Sequence, residues 1–308
     1  MKKLFIAGYI WAFCLVLGAA SVASAGTVTL KKAFIEKYKN RATIDASFIV
    51  DHAHPRPNPP KKDGDMHVAG RAQQQVGLPM VAEVMNAAGK TQTAAVSEIH
   101  SNEGDNQPIP VSGAWRLWFE HPSAEPQIQF NRVDPAANTN PDHCFEIHPI
   151  TKFAGDAVPD SFQFVKGFDA HDATTAFASY EKLTISLQVS SSAVSINSPK
   201  AGFNYTQFVL EFLGKPKRLD DGGMVVLANV LAESQGEPLA ENIRMIFVPG
   251  TLPAAKLQKS NVKQGDEWEV LGIPRVSMSA ISSWIAKGGG NITKRKLPYE
   301  MIIVGVKD

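Results

Sequence analysis

Cysteine is scarce: 308 residues hold two, and one of them, Cys14, lies in an N-terminal apolar run. Once that run is removed only Cys144 remains, so no intrachain disulfide can form and the core alone must hold the fold. Its apolar neighbour Phe145 marks Cys144 as a buried, inert thiol. An excess of either charge is also missing, with 31 Lys and Arg against 30 Asp and Glu. That balance argues against the positive field a nucleic-acid binder requires and against an acidic solvating tail. The small basic clusters at Lys215 to Arg218 and Lys294 to Lys296 read as solvated turns. Beyond the N-terminus no run reaches the roughly 18 apolar residues of a membrane-spanning helix. There is no Gly-x-Ser-x-Gly elbow, and Gly288-Gly289-Gly290 leads into Asn291 and a Lys/Arg group rather than a phosphate-cradling helix. Serine hydrolases and dinucleotide enzymes are thereby disfavoured. Finally, 23 Gly and 20 Pro spread along the chain leave no room for coiled coils or helical repeats.

What is present begins with a leader. Met1-Lys2-Lys3, the apolar stretch Leu4 to Val22 and Ala23-Ser24-Ala25 follow the basic, hydrophobic, small-residue order of a secretory signal. The expectation is a signal peptide over 1–25, cleavage after Ala25, and a periplasmic or secreted chain with no transmembrane segment afterwards. Cys14 sits inside the run and not behind a lipobox-like triplet, which argues against a lipid anchor.

From Gly26 onward, short alternating or apolar runs are separated by turn signals, the pattern of an all-β barrel or sandwich. It predicts strands over Thr43 to Val50, Asp65 to Gly70, Pro79 to Met85, Ile109 to Phe119 and Cys144 to Ile150, with a short helix over Thr93 to His100. Five strands with a helix between the third and fourth is the order of an OB-type barrel, here spanning 26–155. The prolines from Pro55 to Pro60 read as the loop joining the first two strands. Asn131 to Pro141 reads as another loop, whose acids lack the spacing and central Gly of an EF-hand. Residues 156–308 are expected to form a second β-barrel-like domain, with the boundary near Gly155 to Asp160. The fold class is thus all-β with short helices, two tandem OB-like five-stranded barrels. Faint repeats match Ser198 to Tyr205 with Pro60 to His67, Met224 to Val230 with Met80 to Val84, and Gly265 to Gly272 with the strand carrying Trp115 and Trp118. Duplication and two unrelated barrels both accommodate them.

All eight histidines lie between His52 and His171. Because side chains alternate along a strand, Asp65 and His67 share one face of the second strand, and Glu146 and His148 share one face of the fifth. Glu83 interrupts an apolar strand and His121 closes another. An ionisable residue so placed must be paired or hydrated. Four strands of one barrel wrap a common space, so Asp65, His67, Glu83, His121, Glu146 and His148 are expected to converge. Neutral imidazoles with carboxylates suit a divalent metal such as zinc or manganese. A hydrogen-bonded network fixing barrel register and a metal-free ligand pocket remain open alternatives. His52 and His54 read as solvated loop residues.

Gly64-Asp65-Met66-His67, Val81-Ala82-Glu83-Val84, Val111-Ser112-Gly113-Ala114-Trp115 and Phe145-Glu146-Ile147-His148-Pro149-Ile150 together resemble a loose group of bacterial exported proteins of unknown function. Their pattern is Gly-Asp-x-His, Glu in an apolar strand, Val-x-Gly-x-Trp and a late Glu-x-His-Pro. The resemblance spans residues 40 to 152, implies an OB-like barrel and supports grouping the six residues without naming their job.

OB barrels often bind oligonucleotides or oligosaccharides on a strand face. Trp115 and Trp118, three apart, point to opposite faces, so one is a candidate stacking platform. With the charge balance against nucleic acid, a carbohydrate, peptide or protein ligand is expected, and the function reads as an exported binding or accessory module. The alternative is a metal-dependent hydrolase in which His67, His121 and His148 hold the ion and Glu83 or Glu146 acts as general base.

Overall fold

The computed structural model describes residues 25–158 and 170–307. The leader expected over 1–25, except for Ala25, and the far side of the expected domain boundary lie outside the described residues. The first half runs β1 (Ala25–Lys31), α1 (Lys32–Tyr38), β2 (Thr43–Ala53), β3 (Met66–Arg71), β4 (Met80–Val84), a 3-10 turn, α2 (Thr93–Ser101), β5 (Ile109–His121), β6 (Gln127–Ile128), β7 (His143–Phe153) and β8 (Asp156–Ala157). β2 pairs antiparallel with β3 and β5, β3 with β4, and β5 with β7, while β4 joins β7 in parallel. Five strands therefore close in the order β2-β3-β4-β7-β5, with α2 leading from the third to the fourth. This is the expected OB-like barrel, and the prolines from Pro55 to Pro60 lie in its β2–β3 loop.

The second half runs β9 (His171–Asp172), α3 (Ala173–Lys182), β10 (Thr184–Val189), β11 (Ala193–Pro199), β12 (Thr206–Phe212), β13 (Lys217–Arg218), β14 (Met224–Leu231), β15 (Pro238–Phe247), α4 (Leu252–Lys259), β16 (Glu267–Val276), α5 (Met278–Ala286), β17 (Ile292–Lys296) and β18 (Tyr299–Val306). β12 pairs antiparallel with β14 and β16, β14 with β15 and β16 with β18, and β15 closes on β18 in parallel. The wiring of the first barrel is used again, with α4 where α2 stood. The sequence match was nevertheless one strand out of step. Met224–Leu231 is the second strand of its barrel, not the third, and Ser198 to Tyr205 precedes a first strand, not a second. β16 does stand as the counterpart of β5.

A third sheet, in the order β17-β10-β11-β1-β6, was not anticipated. Its residues alternate as any half-buried strand does, with Val28, Leu30, Val194 and Ile196 fully buried. Its central pairing joins Ala25 to Pro199, so no local hairpin signal announces it. The barrels meet outer face to outer face: Met85 and Ala114 of the first pack with Ile246, Leu271, Ile273, Ile302 and Val304 of the second. Ala114 to Phe119 and His143 to Ile150 are consequently buried on both faces of their strands. No helix among the described residues is long and apolar enough to cross a membrane.

One glycine tests how tightly the first barrel closes. A Cβ at Gly70 of β3 would fall on the Ile49 carbonyl oxygen and the Phe48 ring of β2. Gly70→Ala is expected to lower the unfolding free energy by about 1–3 kcal/mol in urea denaturation. A loss below about 0.5 kcal/mol would show that the wall yields.

Candidate functional site

Alternation divides the strand faces of the first barrel by chemistry. Met66, Val68, Ala82, Val84, Phe145 and Ile147 line its apolar interior, all fully buried. Asp65, His67, Glu83, Glu146 and His148 project the other way. Five of the six grouped residues do come together, but on the barrel's outer face beneath the second half of the chain, not in a space inside the barrel. His121 does not join them. Its side chain is 32% exposed with Glu120 as nearest acid at 3.9 Å, and its ring stacks on His143 at 5.1 Å.

The cluster is an ordered chain of contacts centred on His148. One ring nitrogen, Nδ1, lies 3.2 Å from Glu146 and 3.6 Å from Glu83, while Nε2 lies 2.7 Å from the Tyr205 hydroxyl. Tyr205 donates to Asp65, which also accepts from the Asn86 backbone N–H at 3.1 Å. Glu146 takes a donation from Arg116 on one oxygen and lies 3.3 Å from His143 Nε2 on the other. His67 Nε2 is 3.4 Å from Glu83, and His54 stacks on the His67 ring at 4.7 Å. His54 thus reaches the edge of the cluster instead of standing in solvent, and His52 lies within β2, 3.6 Å from Glu103. Glu83, only 5% exposed, has these two histidine contacts and no hydrogen bond among the described residues.

Electrostatics follow from burial and neighbours. Burial pushes Glu83 up to about 8, with the charges of Glu146 and Asp65 adding to it. Burial likewise raises the Asp65 carboxyl, although Tyr205 and His148 favour its charged form. For Glu146 burial works upward too, but Arg116, His143 and His148 outweigh it and hold the carboxyl well below the usual range. His148 is disfavoured as a cation by burial, yet Glu83, Asp65 and Glu146 raise it to about 10. The resulting arrangement is an imidazolium donating on both sides, to Glu146 and to Tyr205.

Several contributors were missed. Arg116 is fully buried within Trp115-Arg116-Leu117-Trp118. The rule applied to Glu83, that an ion in an apolar strand needs a partner, would have singled it out. Besides Glu146 it donates to Asn204 and to the Pro274 carbonyl at 2.9 Å, crossing to the second half. The second barrel repeats the device. Arg275 of β16 donates to Glu300 of β18 at 2.7 Å and, back across the interface, to the Trp115 carbonyl at 3.1 Å and the Ala42 carbonyl at 3.2 Å. In both barrels an Arg on the fourth strand faces a Glu directly opposite on the fifth. Tyr205, from a loop in which Phe203 and Tyr205 take φ of 66° and 49°, left no sequence signal.

The stacking platform is overturned. Trp115 and Trp118 are both fully buried. The Arg275 guanidinium lies 3.6 Å from the Trp115 ring centroid, and Trp118 packs edge-on against Tyr180 at 5.6 Å. Both strand faces are covered, so neither ring can receive a ligand. Cys144 is buried as expected.

Asp65, Glu83 and His148 offer ligand atoms within 4.8 Å of one another, so this buried group could hold a metal ion. Open space lies elsewhere. A cavity of about 410 Å³ opens between the β5–β7 loop and the ends of β3 and β4, bordered by Gly70, Met80, Gln127, Ile128, Val133 and Pro141. Its wall is pinned: the Val133 N–H donates to Gln73, and the Ala136 N–H to Asp51. No protein-family profile and no curated protein matches the chain.

Proposed function

We propose that this chain is an exported binding or accessory module whose ligand site is the cavity under the β5–β7 loop and whose buried charged cluster joins the two barrels. The observation that carries this reading is Gln127. Gln127 is 6% exposed and borders the cavity, its Nε2 donates to the Asp142 carbonyl at 3.1 Å, and its Oε1 has no hydrogen-bond partner among the described residues. A buried acceptor without a donor among the described residues has hydrogen-bonding capacity left for an N–H or O–H of a ligand that displaces its cover. Peptides and carbohydrates supply such donors, and the exposed Ile128 and Phe130 beside the cavity supply apolar contact. Titrating isotope-labelled mature protein with a trisaccharide of N-acetylglucosamine and with a short Ala/Lys peptide tests the reading by NMR. Saturable shifts from one of them at residues 123–142, lost in Gln127→Leu, are expected. Shifts absent with both, or unaltered in the variant, would overturn it.

The metal-dependent hydrolase rests on the Asp65, Glu83 and His148 group, with zinc or manganese as the ion. His121 is not among the residues whose ligand atoms come within 4.8 Å of one another there. Tyr205 and the second barrel cover the group, leaving Asp65 and His148 with no exposed surface for a substrate. A metal held there would act on the fold. Elemental analysis of protein purified without a His-tag separates the cases: stoichiometric metal, lost in a His67→Ala/His148→Ala variant, is the outcome that revives the hydrolase for assay.

A further inference from the structure

A second cavity, of about 320 Å³, lies on the second barrel at the turn between β12 and β14. Its construction follows from register. Val225 and Leu227, two apart on β14, point to the same face. Lys217 of β13 is the cross-strand partner of Val225, and Arg244 of β15 is the partner of Leu227. Directly opposed residues in an antiparallel pair share a face, so each apolar side chain carries a cation beside it. Leu213, whose N–H donates to the Leu227 carbonyl at 2.9 Å, and Lys215 complete the wall.

The chemistry is one-sided. No carboxylate borders the cavity, and Lys215 and Lys217 form no ion pair among the described residues. Arg244 donates through Nε to Glu300 at 2.8 Å, but Glu300 also accepts from Arg275. Two guanidiniums thus share one carboxylate at hydrogen-bond distance. The Nη2 of Arg244 has no hydrogen-bond partner among the described residues. Leu227 is 47% exposed, a large apolar side chain left open in the middle of these cations. A simple inorganic anion would leave that apolar floor wet, whereas a neutral apolar ligand would leave the cations without a counter-charge.

We propose that this cavity binds an anionic amphiphile, a carboxylate or phosphate head on a short alkyl chain, with the head against Lys215, Lys217 and Arg244 and the chain over Leu213, Val225 and Leu227. The site is independent of the loop cavity of the first barrel. Such a head and chain reach an exported protein either as a free acyl anion or as part of an anionic lipid surface.

Calorimetric titration of the mature chain with decanoate, below its micelle concentration, tests the free form. Co-sedimentation with phosphatidylglycerol vesicles, against phosphatidylcholine vesicles, tests the surface. Saturable binding in at least one arm is expected, weakened about tenfold or more by Lys215→Glu/Lys217→Glu and lost in Leu227→Ser, with no binding of decyltrimethylammonium. Both lysines are exposed, so the double variant should keep its melting temperature, which circular dichroism checks. Binding in neither arm, binding that survives the charge reversal, or inorganic phosphate binding as tightly as decanoate would overturn the assignment.

Discussion

Replacing Arg116 with Met is expected to lower the unfolding free energy by about 3–5 kcal/mol, because it strands the Glu146 carboxylate in a site with almost no solvent contact. His143 and His148 still face Glu146, so the carboxylate would turn to them alone, and its low pKa, owed first to Arg116, would rise. The same substitution removes the donor to the Pro274 carbonyl and the contact to Asn204, which loosens the seam between the barrels. Urea unfolding of the protein measures the loss. Adding Glu146→Leu should restore only a part, since it removes the stranded carboxylate but takes from His143 and His148 the partner they share. Arg275→Met should cost less, because Glu300 keeps Arg244 as its partner at 2.8 Å. By contrast, the half-exposed Lys39–Glu36 pair should matter by no more than about 1 kcal/mol when broken. An Arg116→Met protein within about 1 kcal/mol of the parent would mean that the pair contributes no more than a surface ion pair.

That the two arginines are equivalent explains more than stability. Arg116 reaches the carbonyl of Pro274, the residue before Arg275, and Arg275 reaches the carbonyl of Trp115, the residue before Arg116. The contacts are reciprocal, as two copies of one barrel packed about a local two-fold axis would make them. The shared wiring and the matching Arg and Glu on the fourth and fifth strands favour duplication over two unrelated barrels. The second barrel has Arg275 and Glu300 at the matching positions, without the histidines of the first.

Period-two geometry is local, and what it governs was legible. Asp65 with His67 and Glu146 with His148 share faces because two residues along one strand always do. Glu83 meets His67 because β3 and β4 are neighbours in register. His121 escaped because the β5–β7 pairing slips between Leu117 and His121, so counting alternate residues along β5 no longer predicts where the end of the strand points. The sealing of Trp115 and Trp118 was invisible for a different reason. The groups that cover them, Arg275, Tyr180 and the Gly202 carbonyl, are far along the chain, and no alternation within one strand reports what packs on its outer face. Tyr205 is the same case, a loop aromatic that only tertiary packing delivers to Asp65.

The protein should be most stable in mildly acidic solution and lose stability steadily towards alkaline pH, and the sign follows from the cluster. Glu83 lies near 4.5 when unfolded and is pushed up to about 8 by burial in the fold. The native state therefore holds its proton more tightly, and that contribution is complete below 4.5 and gone once pH has risen through 8. His148 moves from 6.5 to about 10, overcoming its own burial through Glu83, Asp65 and Glu146, so its contribution fades over a higher window in the same direction. Glu146 runs the opposite way: its depressed pKa contributes above 4.5 and is lost as pH falls below it. Each proton released costs roughly 1.4 kcal/mol per pH unit, so urea unfolding between about pH 5 and about pH 9 should show a clear fall. Glu83→Gln cannot ionise and should flatten the lower part of that fall, and the window set by His148 should move to lower pH with it, since the Glu83 charge helps to hold the imidazolium. A divalent ion held by Asp65, Glu83 and His148 would invert the slope, since it needs an ionised Glu83 and a neutral imidazole and binds better as protons leave. Stability that rises with pH, and falls with pH only after treatment with chelator, would therefore identify a metal in the cluster. A fall under both conditions identifies the proton as its native occupant, and a flat profile in both would remove the cluster from any account of how the barrels are held together.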